Sequence, residues 1–147
     1  MRAVIQRVSS ARVEVDGEVT GAIEHGLLVY LGIGRGDGPK DSAFLLEKIV
    51  NARIFENAEG KFDKSLLDVG GALLVVSQFT LYGDLRRGRR PSFDSALPPE
   101  EAESMYDAFV RDARTRGLTV ATGRFRAHMH VFSVNDGPVT LLLDSAT

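Results

Sequence analysis

Apolar and polar positions near the start of the chain predict a hairpin of alternating strands. Residues 2–8 and 12–16 are interpreted as paired strands, because apolar and charged side chains alternate along the second of them. The Asp16-Gly17 dipeptide predicts a tight turn, since both residues tolerate the positive φ angles of a short hairpin. Residues 18–24 then form the returning strand.

Two longer apolar runs are typical of strands that are covered on both faces. They span residues 27–33 and 72–79, and we expect the core to run through them. Two further strands are predicted near the end of the chain, at residues 128–134 and 139–143, separated by a polar turn.

Helical periodicity marks two other segments. In residues 41–52 and 98–116, apolar side chains recur at the 3.6-residue spacing that gathers them on one face. The second segment carries glutamates near its start and arginines near its end, which complements the helix dipole. Residues 55–70 and 83–95 are expected to be polar connections. The pattern predicts an α+β fold with a mainly antiparallel sheet and two principal helices.

Length and composition restrict the class of protein. A chain of 147 residues predicts a single domain over residues 1–147. Hydrophobic residues at 44% and charged residues at 26% are ordinary for globular proteins, which excludes a wholly disordered chain and a fibrous repeat. The absence of cysteine excludes disulfide scaffolds, cysteine-based metal centres and thiol nucleophiles. Any covalent chemistry must use oxygen or nitrogen atoms.

Charge and hydropathy restrict its partners. The chain has 18 Lys and Arg against 20 Asp and Glu, so the average surface does not indicate a nucleic-acid partner, although a local basic patch is compatible with this balance. No stretch approaches about 18 consecutive apolar residues, and Gln6 and Arg7 interrupt the first apolar run too early for a signal peptide. We expect a cytoplasmic protein with neither a membrane nor DNA as a partner.

The first candidate for chemistry is the segment Ser77, Gln78, Phe79 and Thr80, at the predicted end of a buried strand. Buried hydroxyl and amide groups need partners, because an unsatisfied one costs about 1–3 kcal/mol. One interpretation is that these groups bond to the neighbouring backbone; the other is that they line a pocket at the strand end. Thr80 could act as a nucleophile only if a base activated it, and no histidine lies beside it in the sequence.

The second candidate is a run of four arginines, Arg86, Arg87, Arg89 and Arg90, which follows that segment. A solvated loop is the usual explanation of such a charge run. Guanidinium groups, however, bind phosphates bidentately, and this run lies directly after the candidate pocket. We therefore predict contact with phosphate or RNA here.

Two histidines, His128 and His130, lie two positions apart and therefore on one face of a predicted strand. With a third ligand such as Asp136 they could hold a metal ion. Most such pairs on an exposed strand are polar surface, so no metal site and no cofactor are predicted. Residues 135–140 are typical of a turn, and base rates alone favour a trans peptide bond before Pro138.

Four blocks, taken together, resemble the D-aminoacyl-tRNA deacylase family. They are MRAVIQRV at residues 1–8, SQFTLYGD at residues 77–84, RRPSF at residues 89–93 and NDGPVT at residues 135–140. Each block alone is a weak signal, but the four stand in the family's order, and the resemblance extends over essentially the whole chain.

The resemblance implies a compact barrel-like antiparallel sheet with flanking helices, and a homodimer with its active sites at the subunit interface. It implies a cis bond between Gly137 and Pro138, which face the Ser77 to Thr80 segment of the other subunit. This pair would act as a wedge that rejects L-aminoacyl esters. Because glycine has no side chain to reject, the resemblance also implies activity on glycyl-tRNA, including glycine misattached to alanine tRNA.

Two catalytic hypotheses remain open at this stage. In the first, Thr80 is a nucleophile or orients the attacking water. In the second, which the resemblance favours, the ribose 2′-hydroxyl of the tRNA assists the attack, while backbone N–H groups near Phe79 and Thr80 bind the oxyanion. Residues Arg86 to Arg90 would hold the tRNA acceptor end. An RNA-binding module without catalysis, and a metal-dependent hydrolase using His128 and His130, are the alternatives.

Overall fold

A computed structural model describes residues 1–146. The chain forms eight strands, three α-helices and one short 3-10 helix within that range. In chain order they are β1 (Arg2–Val15), β2 (Glu18–Ile23), β3 (Gly26–Gly32), α1 (Pro39–Asn51), β4 (Phe55–Glu56), β5 (Phe62–Lys64), α2 (Leu66–Val69), β6 (Ala72–Ser77), the 3-10 helix (Phe79–Tyr82), α3 (Pro99–Thr115), β7 (Val120–Thr122) and β8 (His130–Asp144).

Six of the strands form one mixed sheet that nearly closes into a barrel. Its order is β2-β1-β3-β6-β7, and β8 pairs with β1. All three pairings of β1 are antiparallel, whereas β3 with β6 and β6 with β7 are parallel. The two ends of the sheet approach each other where the Thr20 hydroxyl donates to the carbonyl oxygen of Thr122, at 3.4 Å. The predicted α+β class and barrel-like sheet are confirmed.

The first predicted strand pair is wrong in one respect, because β1 runs through the expected break without interruption. On one side of β1, the first half pairs with β3 and the second half pairs with β2, while β8 pairs with β1 on the other side. The hairpin turn at Asp16 and Gly17 is confirmed, with φ angles of 51° and 80°.

The two strands predicted at the end of the chain are likewise one strand, β8, with a bulge in it. Gln6 on β1 pairs with Thr140, and Val8 pairs with Asn135. Four residues of β8, at positions 136–139, therefore stand opposite the single residue Arg7. The bulge carries Gly137 and Pro138 out of the plane of the sheet.

Helices α1 and α3 agree with the prediction, and each buries its apolar stripe against the sheet. Ile49 of α1 and Phe109 of α3 are completely buried in the larger of two apolar clusters. The smaller cluster, which contains Leu28 and Leu74, lies on the other face of the sheet. Within residues 1–146, no helix combines the length and the apolar character needed to cross a membrane.

The segment predicted as a polar connection at residues 55–70 contains three short elements instead: β4, β5 and α2. They are too short for periodicity to reveal them. Local bonds stabilise them, as at α2, where the Ser65 hydroxyl accepts from the Asp68 N–H and the Asp68 carboxylate accepts from the Ser65 N–H. The three-residue strand β7 was missed for the same reason.

Candidate functional site

A cavity of about 750 Å³ opens at the end of β6. Ser77, Gln78 and Phe79 line it, as do the segment that leads into α3 and the turn between β7 and β8. The cavity therefore lies where three separate parts of the chain meet. The residues of the two walls are Phe93, Ala96, Leu97, Pro98, Pro99, Ala102, Phe125, Arg126, Ala127, His128 and Met129.

The end of β6 is positioned by its parallel neighbour β3. The Gln78 N–H donates to the carbonyl oxygen of Leu31 at 2.8 Å. A Cβ atom at Gly32 would approach the Gln78 carbonyl oxygen to 2.9 Å, so glycine permits this close approach of the two backbones. The sequence change from apolar to polar at Ser77 thus coincides with the point where the chain leaves the sheet.

Thr80 lies beside the cavity but is exposed and is not part of its lining. Its hydroxyl accepts a hydrogen bond from the Gln78 side-chain amide, and among residues 1–146 no histidine or carboxylate contacts it. The main-chain N–H groups of Phe79 and Thr80 have no acceptor within the same residues. These two backbone donors are therefore unengaged, and Thr80 has no neighbouring base among the described residues.

The 3-10 helix that carries Phe79 and Thr80 is held at its far end by Tyr82. The Arg2 guanidinium lies 4.5 Å from the centre of the Tyr82 ring and also donates to the Leu81 carbonyl oxygen at 2.9 Å. Burial, and secondly the Asp37 carboxylate, raise the pKa of Tyr82, so this phenol stays protonated at neutral pH. Tyr82 therefore serves as an anchor rather than as a base.

Gly137 and Pro138 lie on the bulge of β8, and the peptide bond between them is cis, as the family resemblance implies. Both residues are exposed, and neither lines the cavity of its own chain. The structure of one chain thus does not bring this pair together with Ser77 to Phe79.

The side chain of Arg7 binds the backbone of the bulge, a role that the sequence did not indicate. Its side chain is buried, with 5% of the residue exposed. The guanidinium donates to the carbonyl oxygens of Asp136 and Ile54, both at 2.8 Å, and lies 3.5 Å from the nearer carboxylate oxygen of Glu56. A buried cation needs such partners, because an uncompensated charge would be costly.

The two ends of the bulge are also tied together. The Asn135 side-chain oxygen accepts from the Val139 N–H at 2.8 Å, and its amide nitrogen donates to the Thr140 hydroxyl at 3.0 Å. The first and last members of the NDGPVT block therefore brace the pair between them. These hydrogen bonds are a physical reason for Asn and Thr at the two ends of the motif.

The four arginines lie on a loop closed by a bridge between Asp84 and Ser92, and none of them lines the cavity. Arg86 differs from the others, because its guanidinium donates to both carboxylate oxygens of Asp84, at 2.7 to 3.0 Å. These hydrogen bonds lower the pKa of Asp84 to about 2. The remaining arginines are exposed and form no ion pair within residues 1–146: Arg87, Arg89 and Arg90.

The rings of His128 and His130 lie edge to face, with their centres 5.2 Å apart. Within the described part of the chain, no third His, Cys, Asp or Glu completes a metal-binding group with them. His128 lines the cavity, whereas His130 does not.

Sequence reasoning did not find the apolar wall of the cavity. Ala102 belongs to the inner stripe of α3, and its small size leaves the space open. Phe125 packs against Tyr106 at a ring distance of 5.8 Å. Both residues read as ordinary core positions, so a gap in the packing could be recognised only in three dimensions.

Comparison with known proteins finds relatives that match almost the whole chain. The family model described as D-Tyr-tRNA(Tyr) deacylase matches residues 4–144. The D-aminoacyl-tRNA deacylase of Alkaliphilus metalliredigens is 58% identical over 145 residues, which is 99% of this chain and 97% of that protein. The enzyme of the same name from Roseiflexus sp. is 60% identical over 146 residues, which is 99% of this chain and 94% of that protein.

Two solved structures share the fold. One, described as c-Myc DNA Unwinding Element Binding Protein, has a TM-score of 0.94 and 42% identity, and the match covers 100% of both chains. The other, a probable eukaryotic D-amino acid tRNA deacylase, has a TM-score of 0.81 and 18% identity over 97% of each chain, and so supports the fold alone.

The fold and the match over almost the whole chain are thus those of an aminoacyl-tRNA deacylase. The chain belongs to the D-aminoacyl-tRNA deacylase family, as its resemblance predicted, and it is an ester hydrolase of that family.

Proposed function

We propose that this chain, as a single domain, hydrolyses the ester between a D-amino acid and the terminal ribose of tRNA. The observation that carries the proposal is the cavity at Ser77, Gln78 and Phe79, joined to a match with deacylases over almost the whole length. In the reaction, the oxygen of a water molecule bonds to the ester carbonyl carbon, and the bond to the ribose oxygen breaks. The ribose oxygen takes up a proton, and free amino acid and tRNA leave.

The cavity suits the aminoacyl end of the tRNA. A volume of about 750 Å³ lies within the usual range for small-molecule sites, and the walls are mostly apolar. The terminal base packs between these walls. The ester then lies at the polar end, near the main-chain N–H groups of Phe79 and Thr80.

A second copy of the chain supplies the wedge. Gly137 and Pro138 are exposed and do not line the cavity of their own chain, which supports their entry into the cavity of a second molecule. The same strand pairs with β1 along one edge alone and exposes apolar side chains, including Val134 at 57% and Leu142 at 73%. A second copy covers such a surface in a symmetric dimer.

Selection then works by exclusion. The carbonyl oxygens of Gly137 and Pro138 accept from the substrate's amino group, which fixes its Cα. An L side chain would collide with the wedge, whereas a D side chain points away from it. Glycine has nothing to exclude, so glycyl-tRNA, including glycine misattached to alanine tRNA, is also a substrate.

Catalysis relies on the RNA and on backbone donors. The ribose 2′-hydroxyl of the substrate orients the attacking water, and the N–H groups of Phe79 and Thr80 bind the developing oxyanion. The Thr80 hydroxyl accepts from Gln78 and has no base beside it, which supports this choice over a threonine nucleophile.

The arginine loop holds the acceptor end of the tRNA. Arg87, Arg89 and Arg90 supply the phosphate contacts, because no carboxylate of the described residues engages them. Arg86 contributes less, since its Nε and Nη2 already donate to Asp84, whose carboxylate offsets its charge. The enzyme acts in the cytoplasm, where charged tRNA is found.

A paired deacylation assay tests the proposal. Equal concentrations of D-tyrosyl-, L-tyrosyl- and glycyl-tRNA are incubated with the protein, with and without a metal chelator. We expect rapid loss of the D and glycyl esters and survival of the L ester, with no effect of the chelator. Equal hydrolysis of the D and L esters would contradict the rejection of L esters by the wedge. Inhibition by the chelator would favour a metal-dependent hydrolase at His128 and His130.

A nucleic-acid-binding role without hydrolysis is the second candidate. It is favoured by one observation, the 42% identity to a protein described as binding a DNA unwinding element. Retained tRNA or DNA binding with no turnover of any ester would establish it in place of the deacylase.

A further inference from the structure

The turn between β7 and β8 places an arginine in a backbone conformation that favours glycine. The Ala127 N–H donates to the Arg124 carbonyl oxygen at 3.1 Å, which closes a four-residue turn. Arg126, at the third position of this turn, has a φ of 64°. A turn with positive φ at its third position usually contains glycine or asparagine there, since a Cβ atom disfavours the conformation.

The residues on either side of Arg126 fix the turn. Phe125 packs against Tyr106, and the Tyr106 hydroxyl donates to the Val75 carbonyl oxygen at 2.7 Å. Ala127 packs against the smaller apolar cluster. Packing thus holds the turn on both sides of Arg126, whereas the Arg126 side chain forms no hydrogen bond or ion pair within residues 1–146. A disfavoured residue kept at the rim of a cavity points to a functional reason.

The charges around the cavity indicate what Arg126 binds. The ionisable side chains that line it are Arg35, Arg126 and His128, and no Asp or Glu is among them. Arg35 is held in place by the bond from its Nε to the Asp94 carbonyl oxygen, at 2.7 Å. Arg126 is exposed and has no ion-pair partner within residues 1–146. An apolar cavity lined by two arginines and by no carboxylate fits a ligand with an apolar part inside the cavity and an anionic part at its rim.

We propose that Arg126 binds a backbone phosphate of the RNA strand that enters the cavity, next to the terminal nucleoside. This inference rests on the proposed function, because it takes the aminoacyl end of tRNA as the occupant. It defines a second phosphate site, separate from the arginine loop, which does not line the cavity. Arg126 is a binding residue and takes no part in bond cleavage.

Substrates with and without a phosphate test the proposal. The D-tyrosyl ester of adenosine has no phosphate, whereas D-tyrosyl-tRNA has the full strand. The variants are Arg126→Gly, which suits the turn, Arg126→Lys, which keeps the charge, and Arg124→Gln as the control on an exposed arginine of the same turn. Equilibrium binding of an uncharged RNA hairpin ending in CCA is measured as a function of salt, so that one readout is independent of turnover.

We expect Arg126→Gly to lower kcat/KM for D-tyrosyl-tRNA by about ten- to fiftyfold. The value for the adenosine ester stays unchanged, and the salt dependence of hairpin binding decreases by about 0.7 in logarithmic slope. Arg126→Lys retains most of the tRNA activity, and Arg124→Gln behaves as wild type.

Equal losses on both substrates, or full activity and unchanged hairpin binding in Arg126→Gly, would overturn the phosphate contact. If wild type hydrolyses neither ester, the proposed function fails. The hairpin binding of Arg126→Gly then decides the phosphate contact alone: weaker binding with a lower salt slope supports it, and wild-type binding overturns it.

Discussion

The Nε atom of Arg7 donates to the carbonyl oxygen of Asp136 at 2.8 Å, directly before the Gly137-Pro138 pair. This bond links a buried side chain of β1 to the exposed bulge of β8. Since the same guanidinium also binds the Ile54 carbonyl oxygen, it ties the bulge to the chain beyond α1. The position of the Gly137-Pro138 pair, which we propose as the wedge, thus depends on the Arg7 side chain.

Replacing Arg7 by lysine tests that dependence. One ammonium group cannot reach all the acceptors that the guanidinium fork serves, so we expect Arg7→Lys to lower the free energy of unfolding by about 1–3 kcal/mol. We also expect hydrolysis of the L ester to rise relative to the D ester. Denaturant unfolding and paired D and L rates measure the two effects. Arg53→Lys, which alters the exposed pair with Asp63, is the control; an unchanged D to L ratio in Arg7→Lys would contradict the link.

A methyl group at Gly137 would disturb the wedge itself. Its Cβ atom would lie 2.7 Å from the Val139 main-chain nitrogen, and the φ of 154° already disfavours an L residue. Because the bulge must shift, we expect Gly137→Ala to reduce kcat/KM on D-tyrosyl-tRNA by about a hundredfold. Gly60→Ala is the matched control, since Gly60 also has a positive φ but open space around it. An equally large loss of activity in Gly60→Ala would show that strain at a glycine with positive φ is enough to lower kcat/KM, and that the shape of the wedge is not the cause.

The choice between the two catalytic hypotheses depends on Thr80 and on the ribose. Thr80→Val removes the hydroxyl at nearly constant shape, and we expect its kcat to stay within about tenfold of wild type, the effect of one lost hydrogen bond. Substrate with a 2′-deoxy terminal ribose should react at least about a hundredfold more slowly. Single-turnover rates measure both. An inactive Thr80→Val with intact tRNA binding, together with a reactive deoxy substrate, would establish the threonine as the catalytic group.

Variants of the arginine loop test whether binding of the tRNA is separate from the selection of D esters. Changing Arg87, Arg89 and Arg90 together to glutamine should raise KM for D-tyrosyl-tRNA and flatten its dependence on salt, without changing the preference for D esters. Arg86→Gln should have a smaller effect on the salt dependence, because the Asp84 carboxylate already offsets the charge of Arg86. A loss of chiral preference in the triple variant would show that binding and selection are not separate.

Titration of Asp84 checks the Arg86 contact directly. Its carboxylate has a pKa of about 2, below the ordinary value, so the pair is intact at neutral pH and is lost only as the pH falls through about 2. In Arg86→Gln we expect the pKa of Asp84 to rise toward the ordinary value for aspartate. Carbon NMR of the carboxyl group measures the shift; an ordinary pKa already present in wild type would contradict the contact.

Much of this architecture can be predicted from the sequence, and what cannot depends on long-range partners. Helices α1 and α3 follow from periodicity, and the Asp16-Gly17 turn from its residue types. The bulge of β8 could not be predicted, because it depends on the register of Gln6 with Thr140 and of Val8 with Asn135.

The candidate site also contains residues that the local sequence indicated and residues that depend on long-range partners. Ser77 to Phe79, Gly137 and Pro138 were singled out by motif. Arg7 looked like a polar position on a strand, since its partners Ile54, Glu56 and Asp136 are about 50 to 130 residues distant in the chain. The apolar wall at Ala102 and Phe125 gave no local signal, because a cavity is a property of packing.

Mixed dimers test most directly whether one copy's wedge selects the substrate held by the other. Gly137→Ala, with an intact cavity, and Ser77→Leu, which fills the cavity, are expressed together with different tags, and the mixed species is purified. Each parent dimer should be inactive, whereas the mixed dimer contains one complete site and should recover about half of the wild-type rate on D-tyrosyl-tRNA. A mixed dimer as inactive as its parents would show that the cavity and the wedge act within one chain.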